Sequence, residues 1–358
     1  MWWGAWAACL PAVRRGVGAT NAELGVILLA VAVAALPAMF FTGRLAIRAG
    51  SHLVWITLAL FAVCGALPPL ASTRWALFAF LLLVGAGSGA LDVAINARAS
   101  SLETERGFRI MDGMHALYSA GVVAGGVGAG LLRRAGAHPS AILAGVGALA
   151  LIVAAFNTRV ETLPMPPARH ATLARPLLVF GAVFAVSALL EGGVEQWSAL
   201  LLENGLQTSP AVSGLGPGMF AAGMVAGRAL AQRLLPESPP LRLAVSGTAA
   251  AAGLGLSAAA GVAALAVAGV FVAGCGLALS VPTLLRLAGR LGGAPAISTV
   301  TVIGYGGFLV GPPLIGGVAG ATSLRGGFVF LACVGTLLVT SVPILRRVGN
   351  DSPAQRGF

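Results

Sequence analysis

Glu191 and Glu195 lie four residues apart inside a long apolar run, so they share one face of a helix. An ionisable side chain inside a hydrocarbon layer is costly and is a functional candidate by default. Glu191 falls about 22 Å from Pro176 at 1.5 Å per residue, in the outer half of its segment. There it can carry a proton, or hold the hydroxyl or amine of a polar solute. The plainer alternative is a structural hydrogen bond to a neighbouring helix. Glu195 stands nearer the interface, where water competes for it. Trp197 and Ser198 follow toward the outer end.

A second group combines Asp92 and Asn96, again four apart, with His115 and Tyr118 across the next loop. These are plausible hydrogen-bond partners. They either line an inner cavity or latch an inner gate. Asp112 reads as a helix cap. Tyr305 sits among glycines in Gly304-Tyr305-Gly306-Gly307, just ahead of Pro312 and Pro313. A tyrosine flanked by glycines has room to face a cavity, and the prolines bend a helix unless neighbours compensate. Trp6, with Trp197 and Tyr305, would shape the outer part of that cavity. The other acids read as loop or tail residues (Glu103, Glu105, Glu161, Glu203, Glu237 and Asp351), except Glu23, which opens a helix where it favours the dipole.

The elements that must position these groups are apolar segments about one bilayer thick. Mean hydropathy is +0.93 and only 9% of the 358 residues are charged, too few to cover a soluble domain. Segments near 22–41, 53–71, 75–95, 110–132, 139–157, 176–202, 210–235, 241–259, 261–285, 296–319 and 326–345 have the length a spanning helix needs. They are Ala/Leu-rich without alternation, which excludes strands. The expectation is an all-α polytopic membrane protein. The first segment, Trp2 to Pro11, is about half a span, and no basic region of a signal peptide precedes it. The boundary near Ala258–Gly261 carries no charge and rests on length alone.

Every basic residue is an arginine. Alternating the loops places Arg14, Arg15, Arg74, Arg133, Arg134 and Arg325 on one side and the other sixteen on the opposite side. The positive-inside rule puts the arginine-rich side and the C-terminus in the cytoplasm, which suits a bacterial inner membrane. The net charge of +11 then reflects topology and anionic lipid. Arginines scattered over many loops form no nucleic-acid face. Cys9, Cys64, Cys275 and Cys333 sit in apolar runs without metal-ligand spacing. No cofactor, metal or nucleotide motif is present, and no nucleophile–base set of an intramembrane enzyme. A channel would require rings of polar residues, which are also missing.

The longest internal polar stretch, 158–175, carries Pro164, Pro166 and Pro167. It divides an N-terminal bundle (1–157) from a C-terminal bundle (176–348) and a tail (349–358). A weak echo links the halves: Gly43-Arg44-Leu45-Ala46-Ile47-Arg48 and Gly227-Arg228-Ala229-Leu230-Ala231-Gln232-Arg233. Glycines recur four apart at Gly121/Gly125, Gly126/Gly130, Gly214/Gly218, Gly223/Gly227 and Gly307/Gly311, the spacing that lets helix backbones approach in lipid.

On these residues the chain resembles the major facilitator superfamily, and more narrowly the MosC/YbjJ-like branch of bacterial transporters. The pieces are Gly43-Arg44-Leu45 with Arg48 and Gly50; Leu91-Asp92-Val93-Ala94-Ile95-Asn96; Met111 with His115-Ala116-Leu117-Tyr118; Glu191-Gly192 with Trp197-Ser198; and Tyr305-Gly306 with Gly311-Pro312-Pro313. The resemblance implies twelve helices, a cytoplasmic linker, a gating loop at Gly43, Arg44, Arg48 and Gly50, and alternating access. Ile47 stands where that loop usually has an aspartate. Leu81 is nearest to where drug/proton antiporters carry an arginine. A multidrug-antiport mechanism is therefore not implied.

The expected protein is a monomeric secondary transporter of a small polar solute, in contact with the bilayer, with protons as the candidate coupling ion. The alternative is a non-transporting sensor or scaffold on the same fold. The short first segment carries the expectation that the natural product begins upstream of Met1. Intact-mass measurement of the native protein checks this, and Met1 as its first residue refutes it.

Overall fold

The computed structural model describes residues 1–49, 52–106, 110–156 and 175–343. Among these, thirteen α-helices form: α1 (Trp2–Gly16), α2 (Asn21–Ala49), α3 (His52–Gly65), α4 (Arg74–Arg106), α5 (Ile110–Arg134), α6 (Pro139–Phe156), α7 (Arg175–Leu200), α8 (Pro210–Ser213), α9 (Leu215–Leu234), α10 (Pro239–Ala259), α11 (Ala263–Leu277), α12 (Ser280–Ala321) and α13 (Leu324–Thr340). No strand occurs among the described residues. Nine stretches among them are long and apolar enough to cross a membrane. With α1, α9 and α13 they give the twelve positions expected. The expected linker lies outside the described residues, apart from Arg175.

Local chemistry sets the helix ends. Thr20 and Glu23 form a capping box at the start of α2: the Glu23 carboxylate accepts from the Thr20 backbone N–H at 2.8 Å, and Thr20 Oγ1 accepts from the Glu23 N–H at 3.3 Å. Glu23 is thus a cap as well as a charge at the dipole, and it also pairs with Arg74. Ser323 caps α13 through the Gly326 N–H. The uncharged boundary at Ala260 is real: the residue is extended between α10 and α11.

Two elements differ from expectation. Helix α2 runs on through Ala49, so Gly43 and Arg44 are helical rather than in a loop. The Arg44 guanidinium lies 3.9 Å over the Phe40 ring. Gly50 and the Arg48 side chain lie outside what is described. Near residue 280 the tenth span is broken, and α11 gives way to α12 at Ala278 and Leu279. Helix α12 itself joins two spans across Gly292 and Gly293. Gly293 has φ +60° and ψ −149°, a backbone essentially restricted to glycine. Pro312 and Pro313 are accommodated inside α12 without ending it.

Helices α1–α6 pack mainly on one another, and so do α7–α13. Between the groups, α2 meets α12, α5 meets α8 and α9, and α1 meets α7. These junctions concentrate at the end holding the six arginines. A Cβ on Gly25 would meet the backbone of Pro312 and Gly316, one on Gly130 the backbone of Pro210 and Gly214, and Asn21 Nδ2 donates to the Ala319 carbonyl at 3.2 Å. In lipid, such backbone approach replaces the hydrophobic effect as the source of helix cohesion. At the other end of the same helices, Phe41, Leu117, Leu230 and Val302 are exposed.

A Cβ on Gly85 of α4 would collide with the Val31 carbonyl of α2, whereas one on Gly255 of α10 meets open space. Gly85→Val is expected to destabilise by about 1–3 kcal/mol through overpacking. Gly255→Ala should be neutral or slightly stabilising. Thermal unfolding of both variants in the same detergent checks the contrast.

Candidate substrate site

The polar groups inside the bundle come from helices of both groups. Helix α4 supplies Asp92 about 27 Å along from Arg74, and the last span of α12 supplies Tyr305 about 15 Å along from Pro295. The two meet. The Tyr305 hydroxyl donates to Asp92 Oδ2 at 3.2 Å. Asn96 Nδ2 donates to Asp92 Oδ1 at 3.0 Å and to the Asp92 carbonyl at 2.8 Å. Both carboxylate oxygens are therefore engaged, one from the same helix and one across the two groups. The expected Asp92–Asn96 pairing forms, and His115 on α5 lies within electrostatic reach of Asp92. Tyr305 is the partner that spacing alone leaves unassigned. Its ring also packs on Phe308, centroids 5.7 Å apart.

Glu191 and Glu195 face the same region from α7. The neighbours of Glu191 in electrostatic reach are Arg228 on α9 and Glu195. Glu195 Oε1 is buried without a hydrogen-bond partner, and so is Arg228 Nε. Buried polar atoms are rarely left unsatisfied, so such atoms mark places where water, a proton or a ligand completes the bonding. Tyr118 of α5 ties the groups together. It lies within electrostatic reach of Glu195, Asp92, Glu191 and Tyr305, yet is 49% exposed. Tyr118 is thus the half-exposed polar group of α5 nearest the acids of α4 and α7.

The tryptophans are placed differently from expectation. Trp6 and Trp197 are 0% and 1% exposed, buried in packed core rather than bordering open space. Trp6 stacks on Trp2 at 5.7 Å with planes 8° apart, and Trp2 Nε1 donates to the Gly65 carbonyl at 3.0 Å. Neither the Trp6 nor the Trp197 indole N–H has a hydrogen-bond partner among the described residues.

Three residues do more than their place in the sequence indicates. Spacing groups Tyr118 with His115 toward the inner end, but it reaches the central acids. Arg228 reads as part of the polar close of its helix, but inside α9 it lies within electrostatic reach of Glu191. Glu203 reads as a loop residue, but it is buried, 8% exposed, in a π-helical turn, Leu201–Gly205, that continues α7. The common reason is that helices run beyond their apolar cores, so a charge at the edge of an apolar run is not automatically in a loop. Among the described residues no cluster of three or more His, Cys, Asp or Glu could hold a metal ion.

A multi-helix bundle with acids and tyrosines held between two groups of helices is the architecture of a membrane transporter. Comparison with known proteins makes this specific. Residues 1–303 match the Major Facilitator Superfamily. The chain is 31% identical over 354 residues to an uncharacterised MFS-type transporter of Yersinia pestis, covering 96% of this chain and 91% of that one. It is also 31% identical over 366 residues to membrane protein MosC of Rhizobium meliloti, covering 98% and 88%. Among solved structures it is similar to a bacterial homologue of the human lysosomal transporter Spinster, with TM-score 0.74, 14% identity and coverage of 98% and 94%. The nucleoside transporter NupG gives TM-score 0.69 at 15% identity, covering 97% of this chain and 96% of that one. The protein belongs to the Major Facilitator Superfamily. It is a multi-pass membrane transporter, not an enzyme, and its substrate is a small molecule.

Interhelical hydrogen bonds in membranes contribute about 0.6 kcal/mol on average. A double-mutant cycle of Tyr305→Phe and Asp92→Ala, read by thermal unfolding, should give a coupling of about that size. Strict additivity would mean that the contact between the two groups contributes nothing.

Proposed function

We propose that the protein is a secondary active transporter that moves a small polar solute by alternating access, with the helices before residue 158 and those from 176 onward rocking as two bundles. Glu191 is the substrate or proton site. Asp92, Asn96, Tyr305 and His115 form the part of the site nearer the arginine-rich face, and Glu195 the part nearer the opposite face. The observation that carries this reading is the hydrogen bond between Asp92 of α4 and Tyr305 of α12, which joins the two groups, with Tyr118 of α5 and Glu191 of α7 within electrostatic reach. A site shared by both bundles changes when they rock, which alternating access requires.

The lining favours solutes that donate hydrogen bonds. Glu191 and Glu195 supply acceptor oxygens, and Glu195 Oε1 has no partner, so hydroxyl- or amine-bearing solutes suit it. A proton would satisfy the unpartnered Glu195 oxygen, which supports proton coupling. The excess of arginine on one side supports a cytoplasmic C-terminus in a bacterial inner membrane.

A panel of hexoses, polyols, amino acids, nucleosides and polyamines, screened by thermal unfolding of the full-length protein, should give a hit, because a ligand of the folded state stabilises it by mass action. In proteoliposomes the hit solute should show pH-dependent uptake, and Glu191→Gln should reduce it at least tenfold while the protein still inserts. Normal pH-dependent flux in Glu191→Gln would remove Glu191 from the mechanism. A hit that binds but is never moved would favour a sensor built on this fold.

A further inference from the structure

The best-satisfied charge cluster in the described structure lies away from the central acids, at the end that holds the six arginines. Arg133, in the last turn of α5, grips Glu203 with both terminal guanidinium nitrogens: Nη1 donates to Oε2 at 2.8 Å and Nη2 to Oε1 at 2.9 Å. The two side chains are 5% and 7% exposed. Arg15, in the last turn of α1, donates to Glu203 Oε1 at 2.8 Å and reaches Asn204 Oδ1 at 3.4 Å. Ser213 Oγ of α8 donates to Glu203 Oε2 at 2.7 Å. Arg133 Nη1 also donates to the Ala8 carbonyl at 2.6 Å, beside the Pro11 position of α1.

The partners divide by helix group. Arg15, Arg133 and Ala8 belong to α1 and α5. Glu203, Asn204 and Ser213 follow α7. The cluster therefore closes the gap between the two groups at one end. Glu203 lies in the π turn, Leu201–Gly205, that continues α7, and is buried there. Beside the cluster, Gly126 and Gly130 of α5 and Gly214 at the start of α9 are in near backbone contact. A buried bidentate pair is favourable only while dry and fully bonded, and loss of one partner strands the other charge in an apolar site.

We propose that Glu203, clamped by Arg133 and Arg15, is the latch that holds the six-arginine end closed, and that its release opens the solute pathway on that face. The proposal rests on the alternating-access reading above. It assigns Glu203 no contact with solute. Glu203 sets the balance between closed and open arrangements of that end.

The chain carries its own reporter. Cys9 of α1 is 0% exposed and lies within electrostatic reach of both Arg133 and Glu203. Cys64 of α3 is buried too, at 7%, but α3 packs mainly on α4 and α6, away from the cluster. Single-cysteine proteins keeping either Cys9 or Cys64, with the other three cysteines changed to alanine, are labelled with N-ethylmaleimide in detergent. With Glu203 intact, Cys9 should label slowly. Glu203→Gln and Arg133→Gln should each accelerate Cys9 labelling at least tenfold and leave Cys64 unchanged. The double variant should be no faster than the faster single one, because both break the same interaction.

An unchanged Cys9 rate in folded Glu203→Gln protein overturns the latch. Equal acceleration at Cys9 and Cys64 also overturns it, because that reads general loosening. If Glu203→Gln does not fold, Arg15→Gln is the milder test, since that side chain is 54% exposed. It should raise the Cys9 rate about threefold, and no rise overturns the proposal. Faster Cys9 labelling in proteins that transport no solute would uphold the latch while removing the transport reading. Intact solute flux with an unchanged Cys9 rate would do the reverse.

Discussion

Helices in a bilayer cannot rely on the hydrophobic effect to find one another, since lipid is as apolar as the side chains they would bury. What remains is close packing and the satisfaction of polar groups. This chain meets the first demand with glycine. Gly4 of α1 lies against the backbone of Val122 and Gly126, Gly223 and Gly227 of α9 against Phe271 and Cys275, and Gly307 of α12 against Ala185 of α7. At each of these points a single methyl group would strike a main-chain atom. The arrangement of the bundle, and so the position of every polar side chain within it, depends on those contacts being smooth.

The distribution of polar groups follows from the same constraint. At one end, Glu203 has both oxygens bonded, chiefly by arginines from the opposite set of helices, and close glycine contacts lie beside it. In the middle, Asp92 is likewise satisfied, by Asn96 and Tyr305. Between these levels stand Glu191 and Glu195, and Glu195 keeps an oxygen without a partner. A fully bonded buried carboxylate holds structure in place, whereas an incompletely bonded one keeps bonding capacity for something that arrives and leaves. The contrast distinguishes the carboxylates by how completely they are bonded.

Much of this is legible in the residues. The apolar segments, the break near residue 260, the shared face of Glu191 and Glu195, and the Asp92–Asn96 pair all follow from periodicity and spacing, which are properties of one helix at a time. The resemblance to the superfamily rests on short motifs spread along the whole chain, and the family comparison agrees with it. Less legible is anything that joins helices distant in sequence. The Tyr305–Asp92 bond spans 213 positions and the Arg133–Glu203 pair spans 70. Spacing carries no information about such pairs. Trp6 and Trp197, expected to shape a cavity, are instead closed within the packed interior.

By itself, then, the sequence determined that the chain is helical, membrane-embedded and two-part in its polarity, because hydropathy and helical period act locally and need no partner. Only the tertiary structure decided which acids are bonded and which are left incomplete. It placed Glu203 in a buried π turn facing Arg133, brought Tyr118 and Arg228 toward the central carboxyls, and withdrew the two tryptophans. The physical reason is that a side chain's solvation and partners are set by whichever helix packs against it, and in a bilayer that choice is made by backbone fit between glycines far apart in the chain.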